Sequence, residues 1–144
     1  MNAVPAAIAG AAVFTWLGMV LAISFLEAPL KFRAPGVTVA LGLGIGRLVF
    51  RALNTVEAVL AVAVAVAVAA GSPGASVTAL TVVAVLLLVV QLAAVRPVLN
   101  RRSDRVLAGE EAPRSRAHFV YIALELLKVI ALIALGVTAL ATAV

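Results

Sequence analysis

Four stretches of this chain are apolar for long enough to leave few choices of fold: residues 4–26, 52–70, 77–95 and 119–144. A core solvated by water does not need such runs. About 20 apolar residues in one helix is what it takes to cross a hydrocarbon layer about 30 Å thick. Charged residues make up 12% of the sequence and the mean hydropathy is +1.25, whereas a soluble domain is about 25% charged. The runs therefore predict an all-α, integral membrane four-helix bundle. Helices are expected over about 4–27, 46–70, 77–95 and 118–143, in a single transmembrane domain covering residues 1–144. Residues 61–70 alternate Ala and Val like a strand, but an isolated strand would leave its backbone unpaired in lipid, so a helix is required there too. The first run has no basic segment before it and is longer than the apolar part of a secretory signal, so a retained helix is expected.

The charges predict orientation. Both long connections, 28–51 and 96–117, are rich in Lys and Arg, while the turn at 71–76 and both ends have no basic side chain. By the positive-inside rule the long connections are cytoplasmic and both termini lie outside, in a multi-pass protein of the cell membrane. The formal charge of +5 is read as topology signal and headgroup contact rather than as a nucleic-acid surface. The chain has no cysteine, which excludes disulfides and thiolate chemistry. Residues 37–46 are apolar, with Gly42, Gly44 and Gly46 alternating. Two alternatives stand for them: a re-entrant or interfacial segment, or a glycine-loosened extension of the second helix.

Polar residues inside the apolar runs mark the candidate site. At about 100° per residue, His118, Tyr121, Glu125 and Lys128 share an arc of roughly 80° on the last helix. Asn54 and Glu57 open the second helix below Arg47 and Arg51, Gln91 nears the end of the third, and Glu27 closes the first. An ionised side chain at mid-membrane costs about 2.5–3.5 kcal/mol even on a lenient scale, so these groups are expected to face each other. Glu57, Glu125 and Lys128 form the expected triad, with hydrogen bonds from Asn54 and Gln91. The triad carries a net −1, which a protonated carboxyl, Arg51, His118 or a bound cation can balance. Lys31, Arg33, Arg47 and Arg51 form a second candidate set, for an anionic headgroup or phosphate. His118, Glu57 and Glu125 form a weaker metal candidate, and no cofactor is specified.

Trp-Leu-Gly-Met at 16–19, Glu-Ala-Pro-Leu-Lys-Phe at 27–32, Gly-Arg-Leu-Val-Phe at 46–50 and a last helix led by His118 resemble the broad grouping of copper-resistance-D-like membrane proteins. That grouping includes uncharacterised bacterial four-helix proteins and a haem-pathway oxidase. The resemblance implies a four-helix membrane fold. Its haem-binding members use intramembrane histidines, whereas the only histidine here is His118 at a helix entrance. No catalytic residue is carried over.

The expected function is to bind or pass a small ion, proton or polar solute at the polar site. The rivals are a membrane-bound redox or cofactor protein and a non-catalytic lipid-binding or assembly protein. Small residues four apart (Gly18 and Ala22; Ala61, Ala65 and Ala69) predict close packing faces, and with them a homodimer. The absence of cysteine makes the topology directly testable. A cysteine at Ser103 should be shielded from an impermeant thiol reagent in intact cells, and one at Ser72 should react. The reverse labelling pattern would invert the orientation.

Overall fold

In the computed structural model, which describes residues 1–143, four helices are long and apolar enough to cross a membrane. They are α1 (Ala3–Arg33), α2 (Val39–Ala70), α3 (Ala75–Leu107) and α4 (Arg116–Ala141). They run up and down in chain order. α1 packs on α2 and α4, α3 packs on α4, and α2 against α3 is the most loosely packed neighbouring pair. No strand occurs among the described residues.

Each helix buries one narrow stripe. In α1 it is Ala6, Ala9, Val13, Trp16 and Val20, in α3 Val77, Thr81, Ala84, Leu88, Gln91 and Val95, and in α4 Tyr121, Glu125, Lys128, Leu132, Leu135 and Ala139. The spacing alternates three and four, the seam of antiparallel bundles. The outer faces are valine and leucine: Val59, Val62 and Val66 are each more than 60% exposed. Apolar residues outside and charges at the centre invert the arrangement of a water-soluble bundle. In α2 the core face is Ala61, Val64, Ala67 and Val68, whereas Ala65 and Ala69 lie exposed. The close-packed helix pair is α1 with α4, where a Cβ on Gly10 would meet Leu140 and one on Gly136 would meet Phe14, each at 2.7 Å.

The glycine-rich segment is the extension of α2, which starts at Val39 under a Thr38 cap whose hydroxyl accepts from the Leu41 N–H at 3.1 Å. Gly42 and Gly46 leave a groove on its buried face, filled by the Phe32 ring and the Lys31 ammonium. Two other expected boundaries are corrected. The first helix runs past 27 to Arg33, and the third does not end at 95 but continues through Pro97 as Arg96–Leu107. Much of the hydrophilic 96–117 connection is therefore helical, and the part beyond Leu107 is tied back. Arg102 Nε donates to the Ala112 carbonyl at 2.9 Å, and Arg105 pairs with Glu110 at 2.9 Å.

Two π-helical turns interrupt the bundle, Leu21–Glu27 in α1 and Gln91–Val95 in α3. Each ends two residues before a proline, Pro29 or Pro97. A proline has no N–H for the carbonyl four residues back, and its ring crowds that turn. The turn widens instead, and the Ala28 and Arg96 N–H groups reach the carbonyls of Ile23 and Gln91, five residues back. A widened turn takes up one extra residue and re-aims the side chains on it. Those include Ser24 and Gln91. Pro97→Ala restores the missing donor and should let the second turn relax, taking Gln91 out of register. The expected result is a lower thermal midpoint in detergent, by about 1–3 kcal/mol for the buried hydrogen bonds lost. A higher midpoint, the usual outcome of removing a helical proline, would show that the turn does not depend on it.

Candidate functional site: a buried charge network under a basic vestibule

At the middle of the bundle lies Lys128, 0% exposed. It is twelve residues into α4, roughly 18 Å along an axis that rises about 1.5 Å per residue. An ammonium offers three donors, and three acceptors surround this one. They are Glu57 Oε1 at 2.5 Å, Glu125 Oε1 at 2.6 Å and Gln91 Oε1 at 2.8 Å, from α2, α4 and α3. α1 supplies two further donors: Trp16 Nε1 to Glu57 Oε1 at 2.9 Å and Ser24 Oγ to Glu125 Oε2 at 2.8 Å. Gln91 Nε2 lies 3.4 Å from Glu125 Oε1. All four helices contribute to one network of two carboxylates and one ammonium. Glu57, Gln91 and Glu125 are each no more than 1% exposed, so the formal net −1 is held away from water. Among the described residues, Glu57 Oε2 has no hydrogen-bond partner.

The network forms the floor of a cavity of about 410 Å³ that opens at the basic end of the bundle. Glu125 and Ser24 belong to both. The walls carry Lys31, Arg47, Arg96, Arg102, Arg114 and His118, with Tyr121 just above the floor. Aromatic rings hold the cations in place. The Arg96 guanidinium lies 4.6 Å from the Phe50 ring centroid and 4.4 Å from that of Tyr121, and these two rings meet edge to face at 6.1 Å. Lys31 Nζ sits 5.8 Å from the Phe50 ring and 3.4 Å from Glu27, one turn back in the same helix despite the intervening Pro29. Arg47 is paired with Asp104.

The structure thus joins Glu57, Gln91, Glu125 and Lys128 as the sequence predicts. It places His118 and Tyr121 one layer above, in the vestibule, with His118 edge-on to Phe119. Glu27 serves Lys31 rather than the network. Asn54 is corrected: it points into a crevice between α2 and α3, its amide oxygen has no partner, and it donates nothing to the triad. Of the four headgroup candidates, Arg47 and Arg51 line that crevice, Lys31 lines the vestibule, and the exposed Arg33 lines neither. His118, Glu57 and Glu125 do not gather as metal ligands, and no other group of three His, Cys, Asp or Glu does so among the described residues.

Three members were not legible as site residues. For Trp16 the mid-run indole N–H, which needs an acceptor when buried, is the available signal. Ser24 reaches Glu125 only because of the π turn. Arg96 read as a topology charge, yet it lies one turn and a half beyond Gln91 on the same helix.

The charge count sets the sign of the mutational response. Lys128→Met strands two buried carboxylates and should destabilise the protein by about 3–5 kcal/mol, as breaking a buried pair does. Glu125→Gln leaves one carboxylate facing one ammonium and keeps an acceptor for Ser24, so the thermal midpoint should hold or rise. Adding Glu125→Gln to Lys128→Met should recover part of the loss. An unchanged midpoint for Lys128→Met would mean that the network does not hold the bundle together.

No protein-family model, curated protein or solved structure matches this chain, so the reading of the site rests on its own geometry.

Proposed function

We propose that the chain is a multi-pass protein of the cell membrane that binds or passes a small ion, proton or polar solute, taken from the cytoplasmic side through the vestibule to Glu125. Insertion is supported by four spans of 26 to 33 residues with apolar outer faces. Orientation is supported by the basic residues: Lys128 aside, every Lys and Arg lies in 31–51 or 96–116, which the positive-inside rule assigns to the cytoplasm, with both termini outside. The four-helix architecture is the one that the copper-resistance-D-like resemblance leads one to expect, and no residue role is taken from it.

The observation that carries this reading is a pair of carboxylates sharing one ammonium at the floor of an open, positively walled cavity. A purely structural cluster in low dielectric is best neutral, because excess buried charge is costly. Here two carboxylates share one ammonium, and one of the two, Glu125, lies at the foot of the vestibule. A proton or the cationic end of a dipolar solute would neutralise the floor, while the arginines above hold an anionic end. Self-association as a homodimer belongs to the same reading, since Gly18, Ala22, Ala65 and Ala69 lie exposed on the outer surface as close-packing positions.

The test uses Glu125→Gln, which the charge count expects to fold. In liposomes loaded with the pH dye pyranine, wild type should admit protons under a potassium diffusion potential faster than protein-free liposomes, and Glu125→Gln should fall to that baseline. In parallel, glycine betaine, acetate and phosphate are each offered to the detergent-solubilised protein. One of them should raise the thermal midpoint of wild type and leave Glu125→Gln unmoved. If neither assay separates the two proteins, the network is structural only.

A further inference from the structure

A second opening lies outside the vestibule. Between α2 and α3, the loosely packed pair, a crevice of about 720 Å³ faces the bundle surface. Its lining changes character along both helices in the same direction. On α2 it passes from Arg47 and Arg51 through Asn54 to Val59, roughly 18 Å at about 1.5 Å per residue. On α3 it passes from Arg96 to Leu92. Charge lies at the basic end and hydrocarbon toward the middle.

The polar part of the crevice has unused hydrogen-bonding capacity. Arg96 Nε and Nη2 and the Asn54 amide oxygen have no partner among the described residues, although all three atoms are out of contact with solvent. The Arg96 guanidinium lies against the Phe50 and Tyr121 rings, 4.6 and 4.4 Å from their centroids. Arg51 has no carboxylate partner among the described residues, and Arg47 is already matched by Asp104. The crevice is therefore lined by the exposed Arg51, which has no carboxylate partner among the described residues, by Arg96 and Asn54 with unpartnered atoms buried beside it, and by an apolar lower end.

From this we infer that the α2–α3 crevice is a binding site for an anionic phospholipid. The exposed Arg51 meets the phosphate directly, Arg96 and Asn54 meet the headgroup once their buried, unpartnered atoms turn toward the crevice, and the first part of an acyl chain lies along Val59 and Leu92. Guanidinium matches phosphate oxygens in charge and geometry. Three features favour a lipid over free phosphate as the source. The crevice opens sideways, its lower half is apolar, and Val59 is 64% exposed on the face that would meet bilayer. The inference rests on the membrane placement proposed above and not on the solute reading of the vestibule.

Arg51 and Asn54 line the crevice but not the vestibule, so Arg51→Ala with Asn54→Ala tests the crevice alone. Protein in mixed micelles is titrated with phosphatidylglycerol, with phosphatidylcholine and with inorganic phosphate, and bound lipid is counted by native mass spectrometry. Wild type should retain phosphatidylglycerol over phosphatidylcholine. The double variant should bind phosphatidylglycerol roughly tenfold more weakly, as expected for one lost charge-assisted hydrogen bond, while in phosphatidylcholine alone its proton and solute responses stay at wild-type level. Equal retention of the two lipids, or unchanged affinity in the double variant, would overturn the assignment. So would inorganic phosphate displacing the lipid at equal concentration, which would make the site one for a soluble anion.

Discussion

The structure depends on how a buried ammonium satisfies its three protons. Lys128 lies at mid-helix, where water cannot serve it, and its acceptors come from α2, α3 and α4. In lipid, helices gain little from hiding apolar surface on one another, so small-residue packing and polar contacts must choose the arrangement. Here the choice is sharply constrained. Rotating α2 or α3 by one residue would withdraw Glu57 or Gln91 and leave the cation short of a partner. Trp16 and Ser24 complete the ring from α1 by donating to the carboxylates that Lys128 holds. A buried ion pair is weak evidence for net stability, and its best-attested service is to specify register.

That register also relies on two backbone irregularities. Gln91 opens the π turn above Pro97, and Ser24 lies within the one above Pro29. A regular helix with the same residues would present them about 100° away for each residue removed. Both turns lie on the network side of their prolines, beneath the basic end. The prolines thus act upward along the chain, on the residues before them, rather than as helix stops.

Much of this was readable from the residues. The four spans followed from run length and composition, and the meeting of Glu57, Gln91, Glu125 and Lys128 from the cost of isolated charge. What escaped reading had local physical causes. The third helix was expected to stop at 95, just short of Pro97, because a proline inside a helix normally costs a hydrogen bond, and a π turn that takes up the freed carbonyl leaves no sequence mark. Asn54 shares an angular sector with Glu57 on the helical wheel, yet three residues of rise and rotation are enough to turn it into the crevice. Arg96 was masked by its neighbours, since an arginine among arginines at a membrane end has an ordinary explanation. Only the positions of Phe50 and Tyr121, on two other helices, set it apart.

The placement of Arg96 has an energetic consequence. Arg96 lines both the vestibule and the crevice, and its guanidinium lies against the Phe50 and Tyr121 rings. One cation thus supplies the attractive potential on two sides of a thin partition. An anionic group that engages it from the crevice would reduce the positive field in the vestibule, which disfavours an anionic end there and favours a proton or cation at the floor. By thermodynamic reciprocity the effect that each occupant has on the other's affinity is the same. A lipid in the crevice and a species in the vestibule, bound as proposed, would then act on this protein through one side chain.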